Sequence, residues 1–126
     1  MADTLARSQR RTADDGIPGR DELIRLASDM VPMLRERAAK AEADRRMPDE
    51  TQQAFVDAGL YRIFIPKRWG GYEMDFTTII DISAQLGRGC GSTSWVFTNV
   101  AQHGLINGMT GAKCQEEPWE IGRAHV

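Results

Sequence analysis

Apolar positions recur at helical spacing along most of the chain, and the pattern is punctuated by a few Pro and Gly residues. Leu23, Leu26, Ala27, Met30 and Leu34 mark one helical face, with Asp21 and Glu22 suited to the positive N-terminal end. Pro32 interrupts that face, so a kink or a break between two helices is expected there. Residues 33–46 are rich in Ala, Glu, Lys and Arg, which gives strong helix propensity and a largely solvated face. Pro48 then opens a helix where a missing N–H costs nothing; Phe55, Ala54 and Ala58 supply its inner face, and Gly59 its left-handed end.

The next apolar run, residues 60–65, is too short for a helix and is closed by Pro66, so it reads as extended. Trp69-Gly70-Gly71 predicts a tight turn, and Asp75 is a good N-cap for a helix carrying Phe76, Ile79, Ile80, Ile82 and Leu86 that ends near residues 87–89. Ser92 can cap a central helix that runs through Val96, Val100 and Ile106 to Gly108. Being apolar on several sides, that helix is expected in the interior. Residues 110–120 form a further short polar segment in which Pro118 argues against a continuing helix. The expected fold is an all-α domain of four to six helices over residues 21–119. Residues 1–20, with only Leu5 and Ile17 as large aliphatics, read as a disordered tail.

Composition narrows the function classes. A chain of 126 residues with 41% hydrophobic residues can form one domain with a core. Its formal charge of -2 gives no global field to attract nucleic acid or anionic lipid. No apolar run approaches the roughly 18 residues needed to span a bilayer, and there is no apolar N-terminal signal segment, so a cytoplasmic protein with no membrane partner is expected. Cys90 and Cys114 lack metal-ligand spacing and a companion set of histidines, so neither a metal site nor a disulfide is expected.

Chemistry concentrates in the central helix. Trp95, Asn99 and His103 stand at i, i+4 and i+8 and form a slanted row down one face. Taken alone, each has a plain structural reading: Trp95 as core, His103 as a C-terminal capping or satisfied core histidine, Asn99 as a surface amide. Ser92, Thr93 and Ser94 read as helix-capping residues because no base is paired with them, and the glycines at 87, 89 and 91 lack the spacing and the preceding strand of a dinucleotide fingerprint.

Ala58-Gly59-Leu60-Tyr61, Ile65-Pro66 leading into Trp69-Gly70-Gly71, and Gly89-Cys90-Gly91-Ser92-Thr93-Ser94-Trp95 together resemble the N-terminal helical domain of the acyl-CoA dehydrogenase fold. Within that superfamily, the Gly-Ser-Thr-Ser-Trp run and the Trp95/His103 pair are most similar to the oxygenase components of two-component flavin-dependent monooxygenases, which hydroxylate 4-hydroxyphenylacetate or the phenolic ring of steroid catabolites. The resemblance implies reduced FMN or FAD arriving from a partner flavin reductase, reaction with O2 to a C4a-hydroperoxyflavin, and transfer of oxygen to a small aromatic substrate. It also implies a homotetramer when full length. Carried over residue by residue, His103 is the catalytic proton acceptor, Trp95 a cofactor-binding residue, and Asn99 and Phe97 substrate-binding residues. A histidine, with an ordinary pKa of about 6.5, can take a phenolic proton near neutral pH.

Family members are several times longer, with a β-domain and a C-terminal bundle, so a chain truncated before the β-domain, and inactive alone, is expected. Ile121-Gly122-Arg123-Ala124-His125-Val126 departs from the family pattern and equals one frame of a common sequencing adaptor (ATC GGA AGA GCA CAC GTC), so residues 120–126 read as a truncation artefact and His125 carries no functional weight. Two other functions fit the same fold: an acyl-CoA dehydrogenase oxidising a Cα–Cβ bond with FAD, and a non-catalytic helical interaction module.

Overall fold

A computed structural model describes residues 16–124, with side chains up to residue 118. The tail expected over 1–20 therefore lies outside the described residues as far as residue 15, as do Trp119's side chain and His125. The described residues form six α-helices and no strands: α1 (Arg20–Asp29), α2 (Val31–Asp44), α3 (Asp49–Asp57), α4 (Thr77–Gly89), α5 (Gly91–Gly108) and α6 (Ala112–Ala124). Two single 3-10 turns, Leu60–Arg62 and Lys67–Trp69, link α3 to α4.

The break expected at Pro32 falls at Met30, and Pro32 sits in the first turn of α2, where the ring displaces no intrahelical bond. Gly59 adopts φ +71°, which ends α3 and turns the chain toward the core. The α4 helix lies at the centre, packed on α1, α2 and α5. Its inward residues Ile79, Ile82 and Leu86 meet Leu23 and Ala27 from α1, Leu34 from α2, and Phe97 and Ala101 from α5 in one hydrophobic cluster. Under α5 the aromatics interlock: Phe55 and Phe97 meet edge-on with centroids 5.9 Å apart, and Tyr61 packs at 5.8 Å from Phe97. Burial pushes the Tyr61 phenol up to about 12, against the opposing effect of its hydrogen bond with Gln52.

Five local expectations are corrected. Residues 60–65 are not an extended strand: Leu60–Arg62 is a 3-10 turn, and the carbonyls of Arg62, Ile63 and Ile65 accept hydrogen bonds from Tyr72, Met74 and Glu73. The corner survives that change. Gly70 stands at φ +87°, and a Cβ on Gly71 would lie 1.9 Å from the Ile65 carbonyl oxygen, so only glycine fits. The α6 helix runs through Pro118 rather than stopping before it. The carbonyl that loses its bond there belongs to Cys114, an exposed residue, where water can replace the missing N–H. The cap of α5 is Cys90, not Ser92; its thiol lies 3.3 Å from the Ser92 hydroxyl. Burial raises the Cys90 thiol, and hydrogen bonds with Ser92 and Thr93 outweigh that effect and leave it below an ordinary thiol.

The fourth correction concerns α5 itself, which is not wrapped by core on all sides. Phe97 and Ala101 are buried, but Trp95 is 69% exposed and Val100, Ile106 and Met109 are exposed with it. The fifth concerns α4, whose N-cap is Phe76 rather than Asp75; one residue earlier, Asp75 braces the first turn, as its Oδ1 accepts from the Thr77 N–H at 2.8 Å and from the Thr77 hydroxyl at 2.6 Å. Those two bonds hold its carboxyl below the usual carboxylate range.

Candidate active site

With 3.6 residues per turn, Trp95, Asn99 and Ile106 fall within about 40° of one another, and His103 lies about 40° further round. They occupy the side of α5 opposite its buried residues Thr93, Ser94, Phe97, Ala101 and Gly104. The height of this helix is set from beneath. A Cβ on Gly104 would stand 3.4 Å from Ile65 Cγ1, and one on Gly108 would stand 3.2 Å from Pro66 Cγ, so the two glycines let α5 rest directly on the 64–66 backbone.

Hydrogen bonding orders the outward row. His103 Nδ1 lies 2.5 Å from the Asn99 carbonyl oxygen one turn back. A carbonyl can only accept, so Nδ1 carries the proton and the Nε2 lone pair faces away from the helix backbone. Asn99 Nδ2 donates to the Trp95 carbonyl at 3.2 Å, and Asn99 Oδ1 accepts from Gln102 Nε2 at 3.1 Å. Gln102 had no place in the reading of the sequence. Its spacing of three from Asn99 on one helix was the signal that could have found it.

The row thus brings together a flat exposed indole, a side-chain amide and an imidazole with a free lone pair. Phe97 is not part of it. Its ring is fully buried among Phe55 and Tyr61, with no surface to offer a substrate, because its position falls on the core side of the same helix. A groove of about 1020 Å³ opens elsewhere, between the start of α1 and residues 72–75, with Arg20, Lys67, Tyr72 and Asp75 in its lining; none of Trp95, Asn99 and His103 borders it. We place the candidate chemistry on α5, since that groove mixes acidic and basic groups without a directed donor–acceptor pair, and Arg20 is engaged by Asp81 and Thr77. Among the described residues no group of His, Cys, Asp and Glu could hold a metal ion.

Residues 20–117 match the acyl-CoA dehydrogenase N-terminal domain. The chain belongs to this family. The all-helical fold of the described residues agrees with that membership, and residues 1–19 and 118–126 of the sequence fall outside the matched span. Within the family, the chain is similar to the flavin-dependent monooxygenase, oxygenase subunit HsaA, of Mycobacterium tuberculosis, with 35% identity over 97 residues, 77% of this chain and 25% of that protein. It is also similar to the p-hydroxyphenylacetate 3-hydroxylase, oxygenase component, of Acinetobacter baumannii, with 30% identity over 97 residues, 77% of this chain and 23% of that protein. The crystal structure of the HsaA monooxygenase from M. tuberculosis superposes with a TM-score of 0.78 at 31% identity, covering 82% of this chain and 28% of that one. The chain spans about a quarter of the length of these relatives.

Proposed function

We propose that α5 is one wall of the active site of a flavin-dependent aromatic monooxygenase, as its oxygenase component, with a phenolic substrate. The observation that carries this reading is the outward row itself: an indole 69% exposed beside an imidazole whose Nδ1 is committed to the backbone and whose Nε2 is not. A large aromatic left in the open on an otherwise folded helix marks a contact surface, and the exposed Ile106 adds apolar area further along the same face. An exposed indole face suits a flat ring system such as isoalloxazine or a phenol.

When bound, reduced flavin, as FMN or FAD delivered by a reductase, supplies activated oxygen. The protein's own residues do the rest. Trp95 packs against the ring system and, with the apolar residues around it, keeps water away. His103 Nε2 accepts the phenolic proton, and the Asn99 carbonyl on Nδ1–H stabilises the imidazolium that results. The phenolate is the more electron-rich ring for attack on an electrophilic oxygen. A homotetramer and a cytoplasmic setting complete the proposal; among the described residues no helix is long and apolar enough to cross a membrane.

The test uses the protein from its complete reading frame, supplied with reduced flavin, O2 and a panel of simple phenols. Oxygen uptake stoichiometric with a hydroxylated ring is the expected result. Turnover of an acyl-CoA with an electron acceptor, and no ring hydroxylation, would put the protein among the dehydrogenases instead.

A further inference from the structure

The proposed role of His103 leaves open what receives the negative charge on the substrate oxygen once its proton has gone. The hydrogen bonds around Asn99 answer this. Its Nδ2 faces the Trp95 carbonyl, which can only accept, so the amide orientation is fixed with nitrogen toward Trp95 and Oδ1 toward Gln102 Nε2. An amide nitrogen has two N–H groups, and one of them is used. The second makes no hydrogen bond among the described residues, and Asn99 stands one helical turn from His103.

Resting on the reading of the site as a phenol hydroxylase, we infer that Asn99 is a catalytic donor: its free Nδ2–H holds the phenolic oxygen while His103 Nε2 removes the proton. Helical spacing is compatible with one oxygen serving both. Two hydrogen bonds of about 2.9 Å meeting near the tetrahedral angle at an oxygen span roughly 4.7 Å between nitrogens. Side chains at i and i+4 on a helix start about 5–6 Å apart at Cβ. The neutral phenol donates to Nε2 and accepts from Nδ2–H. The proton then passes to Nε2, the O–H bond breaks, and the electron pair stays on oxygen, where the Asn99 N–H bond strengthens as charge develops. Gln102 is a positioning residue in this scheme, since its bond to Oδ1 prevents the amide from flipping and presenting an acceptor to the phenolate.

The experiment is titration of a bound phenol in the full-length protein, following phenolate absorbance, for the wild type and for Asn99→Ala and Asn99→Asp. Asn99→Asp keeps the shape and cannot donate when ionised. Loss of the donor should raise the pH at which the bound phenol ionises by about one unit, a tenfold change in the ionisation constant, with Asn99→Asp shifted further by charge repulsion. Gln102→Leu should shift it in the same direction by less, and serves where an Asn99 variant folds poorly. If phenol binds and ionises at an unchanged or lower pH in the Asn99 and Gln102 variants while His103→Ala impairs ionisation, the Asn99 inference fails and the reading of the site stands. If the wild type takes up no phenol, or His103→Ala changes nothing, both fail.

Discussion

One side of α5 carries Thr93, Ser94, Phe97, Ala101 and Gly104, all buried; the other carries Trp95, Asn99 and His103, with a half-buried amide between two exposed rings. The same backbone serves both, yet the constraints differ in kind. On the inner side every group already has a partner: Ser94 donates to the Ser83 carbonyl at 2.8 Å, and Phe97 fills the space between Phe55 and Tyr61. On the outer side the side chains are ordered by their own helix, with His103 and Asn99 each bonded one turn back, and their remaining polar capacity is unspent. The core face closes its hydrogen bonds and its volume, whereas the outer face is held in shape with something left over.

That contrast can be broken from either side. The largest expected effect is on chemistry: in the full-length protein, on the proposed function, His103→Ala should lower phenol hydroxylation at neutral pH by about 10²–10⁴-fold with little change in the denaturation midpoint. Its activity should recover as the pH rises toward about 10, where a phenol ionises unaided; a flat profile would remove His103 as the base. Next comes Phe97→Ala, which opens a cavity on the inner side and should cost about 3–5 kcal/mol in urea unfolding. Trp95→Ala, a ring of comparable size on the same helix, should cost under about 0.5 kcal/mol while weakening flavin or phenol binding. Equal stability losses for the two would erase the distinction between the faces.

A smaller loss than that of Phe97→Ala, about 3 kcal/mol or less, is expected for Gly71→Ala, where the added methyl meets the Ile65 carbonyl and the 64–66 support of α5 must shift. Calorimetry on that variant measures how firmly the helix is seated. A small effect is also expected for the surface pair of Arg20 and Asp81, with side chains 42% and 45% exposed, where Asp81→Ala should cost less than about 1 kcal/mol and less still at high salt.

The sequence was most legible where a single residue type dictates local geometry. Pro32 and Gly59 mark helix boundaries because their backbone limits act without help from the rest of the fold. It was least legible where partners are distant. Residues 60–65 look like a strand by composition, but their carbonyls are taken by residues 72–74, and no local pattern announces that pairing. The i, i+4, i+8 row of Trp95, Asn99 and His103 was readable as a row. Which way it faces was not, since α5 has apolar residues on both sides, and Phe97, expected to bind substrate, belongs to the core. Helical spacing gives angular relations within an element, and only packing fixes the absolute direction.

Gln115 is the one buried polar residue of α6 among those described, and all four of its hydrogen-bonding positions are filled. Its Oε1 accepts from Arg68 and, at 3.2 Å, from the Trp69 indole N–H. Its Nε2 donates to the carbonyls of Gly108 at 2.9 Å and Thr110 at 2.6 Å. Three separate segments therefore share one amide, and none can leave without stranding polar groups of the others. In hydrogen exchange, the last turn of α5, the first turn of α6 and the Lys67–Trp69 turn should open together as a single cooperative unit rather than fray independently, with one common protection energy that Gln115→Leu would split into separate values.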